Sequence, residues 1–214
     1  MTTVVIAGGH GQIALRLAAR LCARGDAVRA LIRNRGHEAG VHATGAEPVL
    51  ADMERLDDLA ELVDGADAVV FAAGAGPGSG PERKRTVDFG AAVKLLDGAR
   101  RTGVRRYLMI SAMGAGDPAG GGEAMGPYLE AKAQADAALA ASNLDWTIVR
   151  PGGLTDEPGT GRVEVAPSLG RRGSITRDDV AAVLVGCLDE PHTVRATFDL
   201  LQGDTPIGEA LAAL

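Results

Sequence analysis

An α/β fold built on a doubly wound parallel sheet is what this chain of 214 residues predicts. Three observations carry that expectation. Short apolar, β-branched runs alternate with helical patterns, the first run passes at once into a glycine-rich turn that opens a helix, and no internal repeat or long linker breaks the rhythm. Strands are expected at residues 3–7, 28–32, 48–50, 68–71, 107–110 and 146–149, each too short for a helix and apolar enough to be buried on both faces. Helices are expected at 11–24, 37–44, 55–63, 82–101 and 128–141. Beyond Arg150 come a Pro-Gly-Gly loop, weak strands, a helix at 177–188, a strand at 197–201 and a last helix after Pro206. Right-handed crossovers between parallel strands then place any ligand in the crevice at the strands' carboxyl ends.

A chain of this size buries about 70% of its unfolded surface, so a full core forms without staples. Cys22 and Cys187 lie within helical apolar patterns and read as buried reduced thiols, and His10, His37, His42 and His192 show no metal-ligand spacing. Net charge is −6 with 3% aromatic residues, which argues against a nucleic-acid surface. Arg100, Arg101, Arg105 and Arg106 cluster where a helix ends and a strand begins, as a solvated, dipole-complementing rim. No segment reaches the roughly 20 apolar residues of a membrane span, and a cytoplasmic location is expected. The alanine-rich stretch 131–141 suits either a homodimer contact or internal packing on the sheet.

The most informative segment is Ala7-Gly8-Gly9-His10-Gly11-Gln12-Ile13-Ala14, which follows the first strand. Gly8 and Gly9 can take positive φ and Gly11 allows close backbone approach, while the unpaired N–H groups of the new helix face an anion. This is the arrangement of a dinucleotide-phosphate cradle, here spaced Gly-x-x-Gly-x-x-Ala. After the second strand the chain reads Arg33-Asn34-Arg35, with no carboxylate to accept a ribose 2′-hydroxyl. Two guanidiniums there favour NADP(H) over NAD(H), with Arg33 nearest the strand end and Arg35 either stacking or facing water. Asp52 and Met53 follow the third strand and either contact adenine or, for Asp52, cap the next helix. Ala72-Ala73-Gly74 offers a small-residue path for the cofactor's middle. The glycine-rich segments 74–81 and 114–127 sit at the same crevice edge, either as lids over a substrate or as plain connections.

Tyr128 and Lys132 lie four residues apart, on one helical face and about 6 Å apart along the axis. The cation is expected to bring the phenol below its ordinary value of about 10 and so to favour proton transfer. Ser111 ends the fifth strand, where its hydroxyl either polarises a carbonyl or serves a turn, and Lys132 alone would also read as a surface charge.

Taken together, the glycine turn, Arg33, Asp88-Phe89-Gly90-Ala91, Ser111, Tyr128 with Lys132, Arg150-Pro151-Gly152-Gly153-Leu154 and Ile175-Thr176-Arg177-Asp178-Asp179-Val180-Ala181 give a likeness that spans nearly the whole chain. It resembles an atypical short-chain dehydrogenase/reductase of the sugar-epimerase-like, NmrA-like, NAD(P)-binding group. The resemblance implies a Rossmann-type single domain over 1–214, helices on both faces of the sheet, and 151–214 as a smaller substrate-side portion. It implies Ser111 as carbonyl polariser, Tyr128 as general acid/base, and Lys132 as the ribose-binding partner that lowers its pKa. Pro151, Gly152, Gly153 and Leu154 would flank the nicotinamide. Asp88 stands where catalytic members carry an Asn that anchors a relay water, and the chain is shorter than the extended epimerases.

The leading functional expectation is an NADPH-dependent oxidoreductase acting on a small carbonyl, quinone or related acceptor. A non-catalytic NADP(H) redox sensor and an NAD(P)-dependent epimerase or dehydratase are the alternatives.

Overall fold

In the computed structural model, which describes residues 1–76 and 79–214, the chain winds outward in both directions from its first strand. That strand, β1 (Thr3–Ala7), pairs in parallel with β2 (Ala27–Ile32) on one side and with β4 (Ala68–Phe71) on the other. The winding therefore reverses between β1 and β4, and a crevice opens at their carboxyl ends. On one flank β3 (Glu47–Leu50) closes the sheet beside β2. On the other, β5 (Arg106–Ile110), β6 (Asp145–Pro151) and β10 (Ala196–Gln202) continue it in parallel.

Period-two alternation sorts β1 between two cores. Val4 and Ile6 face α1 (Gln12–Ala23), α2 (Glu38–His42) and α7 (Arg177–Asp189). Val5 and Ala7 face α3 (Ala60–Val63), α5 (Ala92–Thr102) and α6 (Gly122–Ala140). Helix α1 buries Ile13, Ala14, Leu17, Ala18 and Leu21, an i, i+4, i+8 stripe with its one-turn echo. Leu17 is fully buried, and truncating such a leucine costs about 2–5 kcal/mol. Ala131 and Ala135 of α6 are buried within the chain, so internal packing uses the small residues of that helix.

Four expected elements differ. The helix expected over 55–63 is reduced to α3, because Asp52 closes a turn whose carbonyl accepts from Arg55 and Leu56, and Asp58 Oδ1 accepts from Ala60 N at 2.9 Å at the helix start. The stretch 82–101 is not one regular helix: α4 (Pro81–Lys84) passes into a wide, π-helical segment (Arg85–Ala91) before α5. Such π segments are concentrated at functional sites. Helix α6 begins six residues before the expected 128, taking up the last six residues of the glycine-rich segment 114–127, with Pro127 inside it. Lastly, the sheet is not wholly parallel. Strand β8 (Arg162–Ala166) runs antiparallel to β10 and β11 (Thr205–Pro206), whose two registers against Val163 leave Gly203 and Asp204 bulged between them. A Cβ on Gly203 would stand 2.5 Å from the Val163 carbonyl carbon, which accounts for glycine there. Beside this sheet, β7 (Gly153–Thr155) and β9 (Ser174–Thr176) form a two-stranded parallel pair. Pro77 and Gly78, within the segment 74–81, lie outside the described residues.

Candidate cofactor and active site

The cradle turn is tightly built. Gly8 has φ +79°, and a Cβ there would stand 2.6 Å from Ala73 Cα. Gly9 does not take positive φ; its lack of a side chain serves contact with β2, since a Cβ would meet that of Ala30 at 2.6 Å. Gly11 donates to the Gly8 carbonyl at 2.9 Å and stands at the N-cap of α1, where no side chain caps the helix and no acid lies in the first turn. The positive end of this helix is thus left for an anion.

Next to the turn is an open cleft of about 350 Å³, lined by Gly8, His10, Gly11, Arg33, Asp52, Met53, Ala72, Ala73 and Gly74 among others. These are nine of the residues expected to bind a dinucleotide, brought together from the ends of β1, β2, β3 and β4. His10 stacks on His37 with ring centroids 3.7 Å apart, and burial followed by the neighbouring imidazole lowers its pKa below the ordinary 6.5. Gln12, Ile13 and Arg35 do not line the cleft, nor do Gly9, Ser111, Tyr128 and Lys132. Gln12 accepts from Arg16 at 2.7 Å, Ile13 packs into the core under α1, and Arg35 is exposed in the turn that precedes α2. Asp52 Oδ1 accepts from Glu54 N at 3.1 Å, so it shapes the cleft wall as a turn residue and does not cap a helix.

Pro151, Gly152, Gly153 and Leu154 do not line this cleft. Gly152 passes between Leu201 and the Gly173 carbonyl, where a Cβ would lie within 2.5 Å of both, and Gly153 N donates to Gly173 O at 2.9 Å. Close packing against β10 and Gly173 explains the glycine at 152.

At the other end, Ala75 lines the cleft and its N–H donates to Asp88 Oδ2 at 3.2 Å. Asp88, in the π-helical segment, is fully buried, and its Oδ1 lies 3.2 Å from Lys132 Nζ. Lys132 is itself buried and donates to the Ile110 carbonyl at 3.1 Å. Its ammonium is 5.9 Å from the centre of the Tyr128 ring, and Lys84 of α4 is 6.0 Å from the same ring. The expected Tyr128–Lys132 proximity is therefore present, yet the expected lowering of the phenol pKa is not. Burial raises Tyr128 above 10, the Lys132 cation pulls against it, and the carboxylates of Asp88 and Asp136 add to the rise.

Ser111 follows β5 with its N–H donating to Val149 O at 2.8 Å, and its buried Oγ has no hydrogen-bond partner among the described residues. Beside it lies a residue that the sequence did not single out. Asp136 is one turn beyond Lys132 on α6, buried, with Oδ2 accepting from Arg150 Nε at 2.9 Å and Oδ1 unpartnered. Burial raises its carboxyl pKa above 3.8, while the nearby Ser111 hydroxyl, short of hydrogen-bond geometry, and the cations of Arg150 and Lys132 oppose the rise. Glu54 and Arg83 also line the cleft without having been anticipated; an i, i+4 pattern would have found Asp136, whereas no local signal marks the other two.

The arrangement combines an anion cradle, a guanidinium at the end of β2, a path of small residues, and a phenol over a buried ammonium. Among the described residues no group of three His, Cys, Asp or Glu side chains converges as a metal site, and no helix is long and apolar enough to cross a membrane.

Known proteins share this architecture. The chain is 43% identical over 213 residues to the uncharacterized sugar epimerase YhfK of Bacillus subtilis, covering 99% of both chains. Among solved structures it is similar to one described as an NAD-dependent epimerase/dehydratase from Bacillus halodurans, at 38% identity and TM-score 0.95 over the full length of both. The oxidoreductase ylbE from Lactococcus lactis is similar at 27% identity and TM-score 0.86, over 99% of this chain and 96% of that one. Residues 8–191 match the model of one family, and the chain belongs to it: the NAD(P)H-binding family.

Proposed function

We propose that the chain is an NADPH-dependent oxidoreductase that reduces a small carbonyl, quinone or related acceptor, with Tyr128 as proton donor. The observation that supports this reading is the run of the cleft from Arg33 to Ala75, whose N–H is bonded to Asp88, the ion-pair partner of Lys132 beside Tyr128. The backbone of Gly8 and Gly11, with Arg33, Asp52, Met53 and the residues 72–74, would hold the nucleotide, which supplies hydride when bound. Burial keeps Tyr128 a phenol, the form that can give up a proton, and so favours reduction over oxidation. The Ser111 hydroxyl, buried and unpartnered, would polarise the accepting oxygen. The segment 151–214 contributes the substrate side. NADP(H) preference rests on Arg33 at the end of β2, where no carboxylate belongs to the strand tip itself.

NADPH oxidation followed against carbonyls, quinones and free flavins, with Tyr128→Phe beside the unmodified protein, tests the reading. The expected result is turnover that falls by about 10²–10⁴-fold in the variant while NADPH binding persists. Turnover that survives would point to direct hydride transfer without the phenol, and binding without turnover to a redox sensor. The epimerase names of similar proteins favour a second reading, an epimerase or dehydratase that retains its nicotinamide. Purified protein carrying tightly held nucleotide would support that one.

A further inference from the structure

Glu54 is a carboxylate set among the cations of the cleft. Its Oε2 lies 3.3 Å from Arg33 Nη1 and 3.5 Å from Arg83 Nη2, and its Oε1 accepts from the Thr86 hydroxyl at 2.9 Å. Its backbone is held as well, with its N–H on Asp52 Oδ1 at 3.1 Å and its carbonyl accepting from Lys94 Nζ at 3.2 Å. Five partners from β2, the turn after β3, α4, the π-helical segment and α5 therefore fix this side chain and its backbone. Its side chain is 27% exposed, compared with 53% for Arg33, and no other acid lies within ion-pair distance of Arg33 among the described residues. Arg33, Glu54 and Arg83 all line the cleft.

We infer that Glu54 is a specificity-determining residue that tempers the choice between NADP(H) and NAD(H), by occupying Arg33 and by presenting a negative charge to the ribose 2′ position. The inference rests on the reading that Arg33 meets the 2′ substituent. A 2′-phosphate must compete with the Glu54 carboxylate for the Arg33 guanidinium and is repelled by it. A 2′-hydroxyl instead finds in that carboxylate an acceptor. The acid that some dinucleotide sites carry at the tip of their second strand is thus supplied here from the turn after β3, opposite an arginine, and the site holds both recognition elements at once.

Dissociation constants for NADPH and NADH, measured at one low ionic strength for the unmodified protein, Glu54→Gln, Arg33→Ala and the double variant, test this. Because each ratio is taken within one preparation, partial misfolding cancels. In Glu54→Gln the NADPH/NADH affinity ratio is expected to rise about tenfold, a discounted value for a partly solvated charge. In Arg33→Ala the ratio falls, and adding Glu54→Gln then raises it by less than it does when Arg33 is present, because only the direct repulsion of the 2′-phosphate is relieved. A Glu54→Gln ratio that stays unchanged, or affinities that rise equally for both nucleotides, overturns the inference while leaving Arg33's role standing. A ratio unmoved by Arg33→Ala overturns the underlying reading of the cleft, and the inference with it.

Discussion

Lys132 Nζ and Asp88 Oδ1 lie 3.2 Å apart with side-chain exposures of 5% and 0%, an ion pair enclosed between α6 and the π-helical segment. Asp88 also accepts from Ala75 N–H, and Lys132 donates to Ile110 O, so the pair joins the cleft floor to the end of β5. A lysine in this position is not simply an accessory of Tyr128: it is the cation that makes a buried Asp88 tolerable.

Removing one partner leaves the other charged and uncompensated, which costs about 3–5 kcal/mol at such sites. Asp88→Ala and Lys132→Met are each expected to lose stability of that order in urea unfolding. The double variant should lose clearly less than the sum of the two, since it buries no lone charge. Strict additivity would show that the pair contributes no mutual stabilisation.

Burial and two carboxylates hold Tyr128 above its ordinary value of 10, against the pull of Lys132. The phenol is therefore retained through neutral and mildly alkaline pH, and reductive turnover is expected to show no loss assignable to Tyr128 ionisation below pH 10. The profile of kcat/KM against pH checks this. An alkaline limb near pH 8 that vanishes in Tyr128→Phe would mean that the cation dominates after all.

At the cradle, a side chain on Gly8 meets both a positive φ of 79° and backbone at 2.6 Å. Gly25, also at positive φ, has nothing within 4 Å of the added Cβ. Gly25→Ala should thus cost about 1 kcal/mol, from backbone conformation alone. Gly8→Ala should cost about 2–4 kcal/mol, because β1 and β4 must also separate, and should weaken NADPH binding at least tenfold. Thermal unfolding and nucleotide titration of the two variants, side by side, separate strain from collision.

Much of this was legible in the chain. Strands such as β1 and β4 are buried on both faces and so read as unbroken apolar runs, and the Tyr128–Lys132 spacing places both side chains on one helical face. What escaped was non-local. Glu54 and Arg33 meet across 21 positions, and no periodicity signals such a pair. Asp136 continues the i, i+4 spacing of Tyr128 and Lys132, but its burial shows only when α6 is seen packed beside Arg150. The start of α6 was hidden by Gly120-Gly121-Gly122 and Pro127, which locally break helices; Pro127 stands in the second turn and forfeits the one bond its N–H would give to the Glu123 carbonyl. Strand β8 was legible only as one of the weak strands beyond Arg150, because Arg162 and Glu164 interrupt its apolar residues. Gly152 was read as a nicotinamide neighbour, and its tight contact with Gly173 and Leu201 is a packing demand invisible without the tertiary fold.

Asp136 offers a test of the buried polar cluster as a whole. Burial raises its folded pKa above 3.8, so the folded protein binds its proton more tightly than the unfolded chain does. The contribution of this group to stability is then fully present below pH 3.8 and is lost as pH rises through the raised folded value. Asp145 acts in the opposite sense: lowered chiefly by its hydrogen bond with Arg105, it stabilises above its ordinary value and loses that contribution in acid. Asp136→Asn removes the first effect and leaves the second. Its stability, followed by urea unfolding from pH 4 upward, is expected to rise more steeply with pH than that of the unmodified protein, whatever constant offset results from leaving Arg150 without its counter-ion. Parallel curves would mean that Arg150 and Ser111 already hold Asp136 near its unfolded value, so that its burial carries no pH-dependent contribution to stability.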